Sequence, residues 1–162
     1  MFFIKKAYLF EADVENAKYL YKHKRDVYNV GVQIGVPRAQ LITHDLSKLA
    51  PTEWQAYKKR FHGNPTDVQR ANYKNVQRNI HIKRNLHHIG HWGGVENMPI
   101  KYKLEAVADW YGANKAQGKT NLSFKEWFKM YRANGWLSRM DDDTLDVIAI
   151  MIDGKENLYK GL

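Results

Sequence analysis

Apolar residues recur along most of the chain at three- and four-residue steps, the spacing of one face of an α-helix, and no segment sustains the alternation of a strand. The longest such run predicts a first helix from about Val14 to Gly35. Within it, His23 lies on or beside the apolar stripe of Leu20, Val27, Val30 and Ile34. The pattern therefore predicts an all-α fold that opens with one long helix.

Proline and glycine residues mark the bounds of the next two helices. Pro37 is expected to be the first residue of a second helix, because proline has no backbone N–H to lose there. That helix should end near Ala50, since the residue before Pro51 resists the helical conformation. Thr52 is then expected to cap a short third helix that stops at Gly63. The second helix carries His44, Asp45 and Lys48.

The middle of the chain, from Thr66 to about His91, is rich in Gln, Asn, Arg and Lys and predicts one or two helices. If one helix is continuous here, His81 and His88 are seven residues apart and share a face. Pro99 is expected to open a further helix that ends at about Gly118.

Two more helices are predicted near the C-terminus. Ser123 and Glu126 have the spacing of a capping box, and Gly135 is expected to end that helix. Three aspartates at 141–143 begin the last helix, where acidic side chains complement the helix dipole. We interpret them as a helix cap rather than a metal site. In all, the pattern predicts a single domain over residues 1–162, an all-α bundle of six or seven helices.

The amino-acid composition limits the kinds of metal site and of partner that the protein could have. The chain has 162 residues, no cysteine and a net charge of +9. Without thiolates, any metal must be held by imidazole and carboxylate, which suits Mn, Fe, Co, Ni, Zn or Mg. The positive charge favours phosphate-bearing partners, although a basic surface that only aids solubility gives the same charge. The N-terminal residues lack a signal-peptide pattern, and no apolar run approaches a membrane span, so a cytoplasmic protein without membrane contact is expected.

The adjacent pair His44 and Asp45 is the first candidate for metal chemistry. It stands in an apolar segment, where an ionised Asp must be paired or bound to a metal. The imidazole nitrogen and the carboxylate oxygen could reach one ion from neighbouring positions. A simpler alternative is an Asp that only pairs with a basic residue such as Lys48 or Arg25.

The remaining histidines are unevenly distributed, with four of the seven inside eleven residues: His81, His87, His88 and His91. These four are too many for one compact centre, so at least one is expected at the surface. His23 alone would more often be a hydrogen-bonded core residue. His62 follows a basic stretch and is not expected to be a ligand. Asp109, between Ala108 and Trp110, would be costly to bury without a cation.

Three segments together resemble the HD-domain superfamily of metal-dependent phosphohydrolases, and most closely an uncharacterised HD-like family found in bacteriophage and bacterial genomes. The segments are His44 to Lys48 (His-Asp-Leu-Ser-Lys), Arg84 to His88 (Arg-Asn-Leu-His-His) and Asp109 to Gly118 (Asp-Trp-Tyr-Gly-Ala-Asn-Lys-Ala-Gln-Gly). The resemblance implies an HD-like helical bundle with a metal-site core over about residues 14–118. The C-terminal helices, over about 123–160, would pack on that core.

The resemblance also implies a ligand set for one or two divalent ions. It assigns His23, His44, Asp45 and Asp109 as the basic set. His81 and one of His87 or His88 would be the extra ligands that allow a second ion. Which of His87, His88 and His91 is the later ligand is left open.

The expected activity is hydrolysis of a phosphoester in a nucleotide or a related small molecule. Asp45 would bridge the ions or orient the water. Lys48 and Arg84 would hold the substrate phosphate and offset charge in the transition state, unless they are merely solvated surface cations. Asn85 and Lys115 are further candidates for substrate binding. The sequence leaves open the nucleotide, the oligomeric state (a homodimer is one option) and, if the gene is viral, a host-cytoplasmic role.

The alternative function is a catalytically inactive, basic helical module that binds nucleic acid or a protein partner. Its candidate contacts are cations of the polar middle segment that could follow a phosphate backbone: Arg70, Lys74, Arg78 and Lys83. Binding of that kind falls steeply with salt, and it requires no stoichiometric metal.

Overall fold

The structure is a computed structural model that describes the backbone of residues 2–159 and the side chains of residues 11–154. Met1 and residues 160–162, which the predicted domain includes, lie outside the described range. Between residues 2 and 159 every regular element is helical and no strand occurs, so the all-α prediction is confirmed. No helix in that range is both long and apolar enough to cross a membrane.

The elements follow one another with short connections. In chain order they are α1 (Phe2–Gln33), α2 (Arg38–Thr43), a 3₁₀ turn (Leu46–Leu49), α3 (Pro51–His62), α4 (Asp67–Val76), a π-helical turn (Gln77–His81), α5 (Ile82–Arg84), α6 (Ile89–Trp92), α7 (Ile100–Ala116), α8 (Phe124–Ala133) and α9 (Asp142–Tyr159).

The contact between α1 and α7 is the most extensive helix–helix contact in the described structure. Gly112 makes it close, because a Cβ at that position would lie 2.5 Å from Cγ2 of Val27 and 3.3 Å from the carbonyl oxygen of His23. The two backbones therefore pass next to each other where α1 carries His23 and α7 carries Asp109. This contact brings together two residues that are far apart in the sequence.

The C-terminal helices join the same apolar core as α1 and α7. Trp127 and Phe128 of α8 and Ile148 of α9 are almost fully buried in it. Burying each such side chain stabilises the fold by roughly 1.5–3 kcal/mol. The predicted capping box of α8 is confirmed, since the Ser123 hydroxyl accepts from the Glu126 amide and the Glu126 carboxylate accepts from the Ser123 amide.

The predicted second helix is wrong beyond Thr43. The chain leaves the helix there, His44 is extended, and Asp45 has φ 56° and ψ 19°, in the left-handed region. Adjacent side chains on an α-helix point about 100° apart, so a continuous helix would send this pair in different directions. The break lets both aim at one place. Thr52 is not a cap either, because α3 begins at Pro51 with Ala50 in the capping position.

One other boundary also differs from the prediction, because the first helix begins at Phe2 rather than near Val14. The polar segment was predicted to form one or two helices up to about His91. It forms a helical stretch that passes through a π-helical turn at Gln77–His81 and ends at Arg84, followed by the short α6. His81 and His88 therefore do not share a helical face. Single π turns inside α-helices are frequent at functional sites.

Candidate metal centre

Four buried donor atoms from three parts of the chain meet beside the α1–α7 contact. His23 comes from α1, Asp109 from α7, and His44 and Asp45 from the turn after α2. Nε2 of His23 lies 3.2 Å from Oδ2 of Asp45, 3.1 Å from Oδ1 of Asp109 and 3.3 Å from Nε2 of His44. Nε2 of His44 is 3.5 Å from Oδ2 of Asp45 and 3.3 Å from Oδ1 of Asp109.

These separations are those of ligands around one ion. Donor atoms about 2.1 Å from a common metal lie about 3.0 Å apart at octahedral angles and about 3.4 Å apart at tetrahedral angles. If His23 and His44 formed only a hydrogen bond, one of the two facing nitrogens would donate and the other would accept, whereas a cation between them would bind both. The spacing of the four side chains therefore fits a set of ligands for one cation.

A second set of donors lies on the other side of Asp45. Oδ1 of Asp45 is 3.5 Å from Nε2 of His81 and 3.5 Å from Nε2 of His87, and His88 completes the group. Within each set, the donor atoms all lie within 4.8 Å of one another. Oδ1 of Asp45 and Nε2 of both His87 and His88 are buried with no hydrogen-bond partner among the described residues. Such unpaired buried atoms are rare, and nitrogen and oxygen atoms of this kind are suited to bind a cation.

Asp45 therefore belongs to both sets, with Oδ2 facing the first and Oδ1 facing the second. It is the one non-glycine residue with a positive φ in the described backbone. A carboxylate between two ligand sets is the arrangement that bridges a pair of ions. Of the three histidines among which the sequence left the choice open, His87 and His88 belong to the second group of potential ligands, and His91 belongs to no such group among the described residues.

A buried carboxylate, Glu105, orients ligands from behind. Its Oε1 accepts from Nδ1 of His44 at 2.8 Å and lies 3.5 Å from Nδ1 of His87, and its Oε2 accepts from the Gln40 amide. Fixing the proton on Nδ1 leaves Nε2 free to bind metal. Glu105 also forms a third group of potential ligands with His44 and His87. An ion there would break both Nδ1 contacts, so we interpret Glu105 as an orienting group.

Glu53 does the same for the second set. It is fully buried, and its Oε2 accepts from Nδ1 of His81 at 2.8 Å and from the Ser47 hydroxyl at 3.1 Å. The Asn85 amide donates to the Ser47 hydroxyl and to the carbonyl of His81, both at 2.8 Å. This network fixes the imidazole of His81 and ties the turn after α5 to the turn after α2.

Neither Glu53 nor Glu105 was predicted from the sequence as part of the site. Glu53 stands in the first turn of α3, where an acidic residue is explained by the helix dipole. Glu105 did leave a signal, since it precedes Asp109 by four residues in an apolar helix and the two therefore share a face.

Burial and neighbouring charges shift the pKa values of several groups in the centre. Burial alone would lower the pKa of His44, but Asp45, Asp109 and Glu105 raise it to about 10. Burial alone would raise the pKa of Asp45, but Lys48 and His44 hold it well below its usual range. Burial lowers the pKa of His88 to about 3. A protonated His44 among ionised carboxylates marks a place where positive charge is favoured.

Two lysines also act on Asp45 and its turn. The Lys48 ammonium donates to Oδ2 of Asp45, so the simple ion pair considered from the sequence does exist. Arg25 instead pairs with Asp26 at 3.0 Å. Lys24 donates to the carbonyl oxygens of Ile42 and His44, which fixes the backbone at the break after α2. The Lys48 pair leaves Oδ1 of Asp45 unpartnered among the described residues, so it accounts for only one of the two oxygens.

The residues predicted to bind substrate are spread more widely. Arg84 is 58% exposed and lies 3.8 Å from Oε1 of Glu53. Together with Asn85 it lines a groove of about 610 Å³ whose lining also includes His44, His87 and Glu105 but not Asp45. Lys115 donates to the hydroxyl of Tyr111 and has no described contact with the centre.

The histidines outside the centre have other contacts. His91 lies 2.9 Å from the carbonyl oxygen of Lys83 through its Nδ1 atom. His62, which was not expected to be a ligand, belongs to none of the potential ligand groups among the described residues.

Asp141 accepts from the amide and the hydroxyl of Thr144, as expected of a helix cap.

The fold and the centre define a helical protein whose buried His/Asp groups could hold a metal ion. Residues 12–153 match a family model described as "Family of unknown function (DUF5662)", so the chain belongs to that family. No curated protein and no solved structure matches the chain. The matched segment contains all the residues of both ligand sets.

Proposed function

We propose that this chain is a metal-dependent phosphohydrolase with an HD-like fold, acting on a nucleotide or a related small phosphoester. The observation that carries the proposal is the placement of Asp45, whose two carboxylate oxygens face two different sets of imidazole nitrogens. A pair of ions bridged by a carboxylate is a recurrent device in phosphatases and nucleases. The resemblance of the three sequence segments to HD-type phosphohydrolases points the same way.

Divalent ions bound at such a centre lower the pKa of bound water and offset negative charge on the phosphoryl oxygens. The chain's own part is to keep the ligands fixed. Glu105 and Glu53 do this by accepting from the Nδ1 atoms of His44 and His81. Preorganised ligands matter because any movement needed during the reaction would raise its barrier.

Lys48 is the residue best placed to meet the substrate's charge. Its side chain is 11% exposed, its ammonium lies against Asp45, and the side chain of Asp109 is 13% exposed. Lys48 and Asp109 are thus more exposed than His23, His44 and Asp45, so a substrate phosphate would approach the first set from their side. A phosphate that enters there would meet the ammonium, which would stabilise negative charge as it builds up in the transition state.

We assign the other predicted substrate residues more distant roles. Arg84 would attract an outlying phosphate along the groove that it lines. Asn85 supports the ligand turns, because its amide is already bound to Ser47 and to the carbonyl of His81. The assignment of Lys115 stays a prediction from the resemblance.

The test is a nucleotide panel with Mn, Co, Ni and Mg, following release of phosphate or nucleoside. We expect hydrolysis of at least one nucleotide by the wild-type protein and its loss in the double variant His44→Ala/Asp45→Ala, with the helical circular dichroism spectrum retained. His91→Ala is the matched control, because His91 lies outside both sets, and it should remain active. Hydrolysis that survives in the double variant would place the reaction elsewhere, and no hydrolysis under any condition would count against an enzyme.

The non-catalytic alternative has one supporting observation, a row of exposed cations in the polar segment: Lys74, Arg78 and Lys83. Arg70 is already paired with Asp67 at 3.2 Å. Binding of nucleic acid or a protein partner alone does not require the buried imidazoles and carboxylates. Elemental analysis separates the two functions, since the enzyme predicts one or two divalent ions per chain and the module predicts none.

A further inference from the structure

A second concave site lies apart from the metal centre, between α7, α8 and the connection from α8 to α9. This groove has a volume of about 230 Å³ and shares no lining residue with either ligand set. Its walls combine aromatic and basic side chains: Trp110, Trp127, Tyr131, Trp136, Lys119 and Arg139.

The aromatic rings present flat surfaces at different angles. Tyr131 stacks on Trp127 with ring centres 4.4 Å apart, and it meets Trp136 edge-on at 4.6 Å. Trp127 is fully buried and anchors the group in the core. Trp136, in contrast, is 58% exposed, although indole rings are usually buried to a large extent. Its exposed face is available to stack on a flat ligand.

The charges around the groove are positive. The Arg139 guanidinium lies 4.7 Å from the ring centre of Trp110, and Lys119 lies along the same groove. Neither cation forms an ion pair with a described side chain, and no acidic residue is part of the lining. Aromatic pockets can also bind organic cations, but the two positive charges at this one would repel them. A flat ligand that carries negative charge fits best.

We propose that this groove binds a nucleobase next to its phosphate, by stacking on Trp136 and by attraction to Arg139 and Lys119. Base stacking on aromatic side chains beside a cationic track is how proteins bind single-stranded nucleic acids without reading their sequence. The same chemistry is offered by a free nucleotide. The groove is separate from the metal centre, so its ligand binding does not depend on hydrolysis.

The experiment measures binding of a fluorescein-labelled oligothymidylate of about twelve nucleotides to the full-length protein by fluorescence anisotropy. We expect salt-sensitive binding that weakens about tenfold in Trp136→Ala, the size of one lost base stack. Arg139→Gln should weaken it several-fold and reduce the salt dependence by about one phosphate contact. Both side chains are exposed, so the variants should fold as the wild type does, as checked by circular dichroism.

Two controls make the result specific. Tyr21→Ala removes a ring that is 69% exposed on α1, and Lys74→Gln removes a cation of the polar segment. Neither should change the affinity. Competition with unlabelled thymidine monophosphate distinguishes a free nucleotide from a single strand as the ligand. If the monophosphate displaces the labelled oligomer at a concentration similar to that of the unlabelled oligomer, the ligand is a free nucleotide. If only the oligomer competes, the ligand is a single strand.

The proposal is overturned if neither probe binds, or if Trp136→Ala and Arg139→Gln bind as the wild type does. It is also overturned if Lys74→Gln weakens binding as strongly as they do, since the basic segment would then be the site. The variant His44→Ala/Asp45→Ala should still bind the oligomer, so failure of the metal centre and failure of the groove are separate results.

Discussion

Asp45 has a backbone conformation that most residues avoid. The left-handed region costs an L-residue roughly 1–2 kcal/mol, and Asp and Asn tolerate it better than most. Here it follows the extended His44 and places both carboxylate oxygens between histidines from distant parts of the chain. Residues held in such conformations cluster at functional sites, where the surrounding structure compensates for the strain. The conformation of Asp45 thus supports the proposal that this residue bridges metals.

Replacing Asp45 by Asn tests the charge apart from the conformation, because Asn also tolerates a positive φ. We expect the bound metal to fall from two ions per chain to one or none and hydrolysis to fall at least a hundredfold, since the bridging charge is lost. Elemental analysis and the nucleotide assay measure this. Asp67→Asn, on a fully exposed side chain, is the control. A variant of Asp45 that keeps its full metal content would argue against bridging.

Glu105 provides a test of the orienting contacts. Glu105→Gln keeps the shape but weakens acceptance from Nδ1 of His44 and His87, so metal affinity should fall about 10–100-fold. Titration of the metal-free protein with Mn measures this loss. Glu96→Gln, at an exposed position, should bind as the wild type does. Equal affinity of the two variants would show that Glu105 has no orienting role.

The protonation of His44 predicts a pH dependence of metal binding. The neighbouring carboxylates of Asp45 and Asp109 raise its pKa to about 10, so at pH 7 the ring carries a proton that an incoming ion must displace. His88, with a pKa near 3, has no such proton to lose. Metal affinity should therefore rise as the pH is raised toward 10. Calorimetry at pH 7 in buffers of different ionisation enthalpy should show net proton release, and net uptake would contradict the assignment.

At the scale of elements, spacing in the sequence predicted the helices better than their interruptions. Pro99, the Ser123 capping box and Gly135 act through local geometry, which a sequence displays directly. The break at His44 and the π-helical turn at Gln77–His81 have no such local signal in the sequence. Lys24, on α1, helps to hold the first by donating to the carbonyl oxygens of Ile42 and His44. A contact between residues so far apart in the sequence cannot be predicted from a local sequence pattern.

The close approach of α1 and α7 can be tested at Gly112. A methyl group there would lie 2.5 Å from Cγ2 of Val27 and 3.2 Å from its backbone nitrogen, so the helices must separate. Gly112→Ala should lower the free energy of unfolding by about 1–3 kcal/mol, as overpacking does. It should also weaken metal binding, because His23 and Asp109 stand on the two helices.

Gly154→Ala is the matched control for that substitution. A Cβ at this helical position in α9 meets nothing within 4 Å, so Ala should be neutral or stabilising by about 0.5–1 kcal/mol. Chemical denaturation and metal titration of both variants give the comparison. If Gly112→Ala leaves stability and metal affinity unchanged, the close approach does not position the centre.

At the scale of the whole molecule, the centre contains a group of buried acidic residues although the chain as a whole is basic. The chain carries +9 overall, yet Asp45, Asp109, Glu53 and Glu105 are buried together. The convergence of His23, His44, Asp45 and Asp109 could be anticipated from the order of the motifs. The positions of the two glutamates and the placement of both His87 and His88 in the second set could not, because they depend on how the turns after α2 and α5 meet. A basic surface around a buried acidic centre suits a protein that binds both metal cations and a phosphate.

The most direct measurement is anomalous X-ray scattering from crystals of the protein grown with Mn. The account predicts two peaks within bonding distance of Asp45, one beside His23, His44 and Asp109 and the other beside His81, His87 and His88. No peak at either set, or metal bound only elsewhere on the molecule, would contradict it.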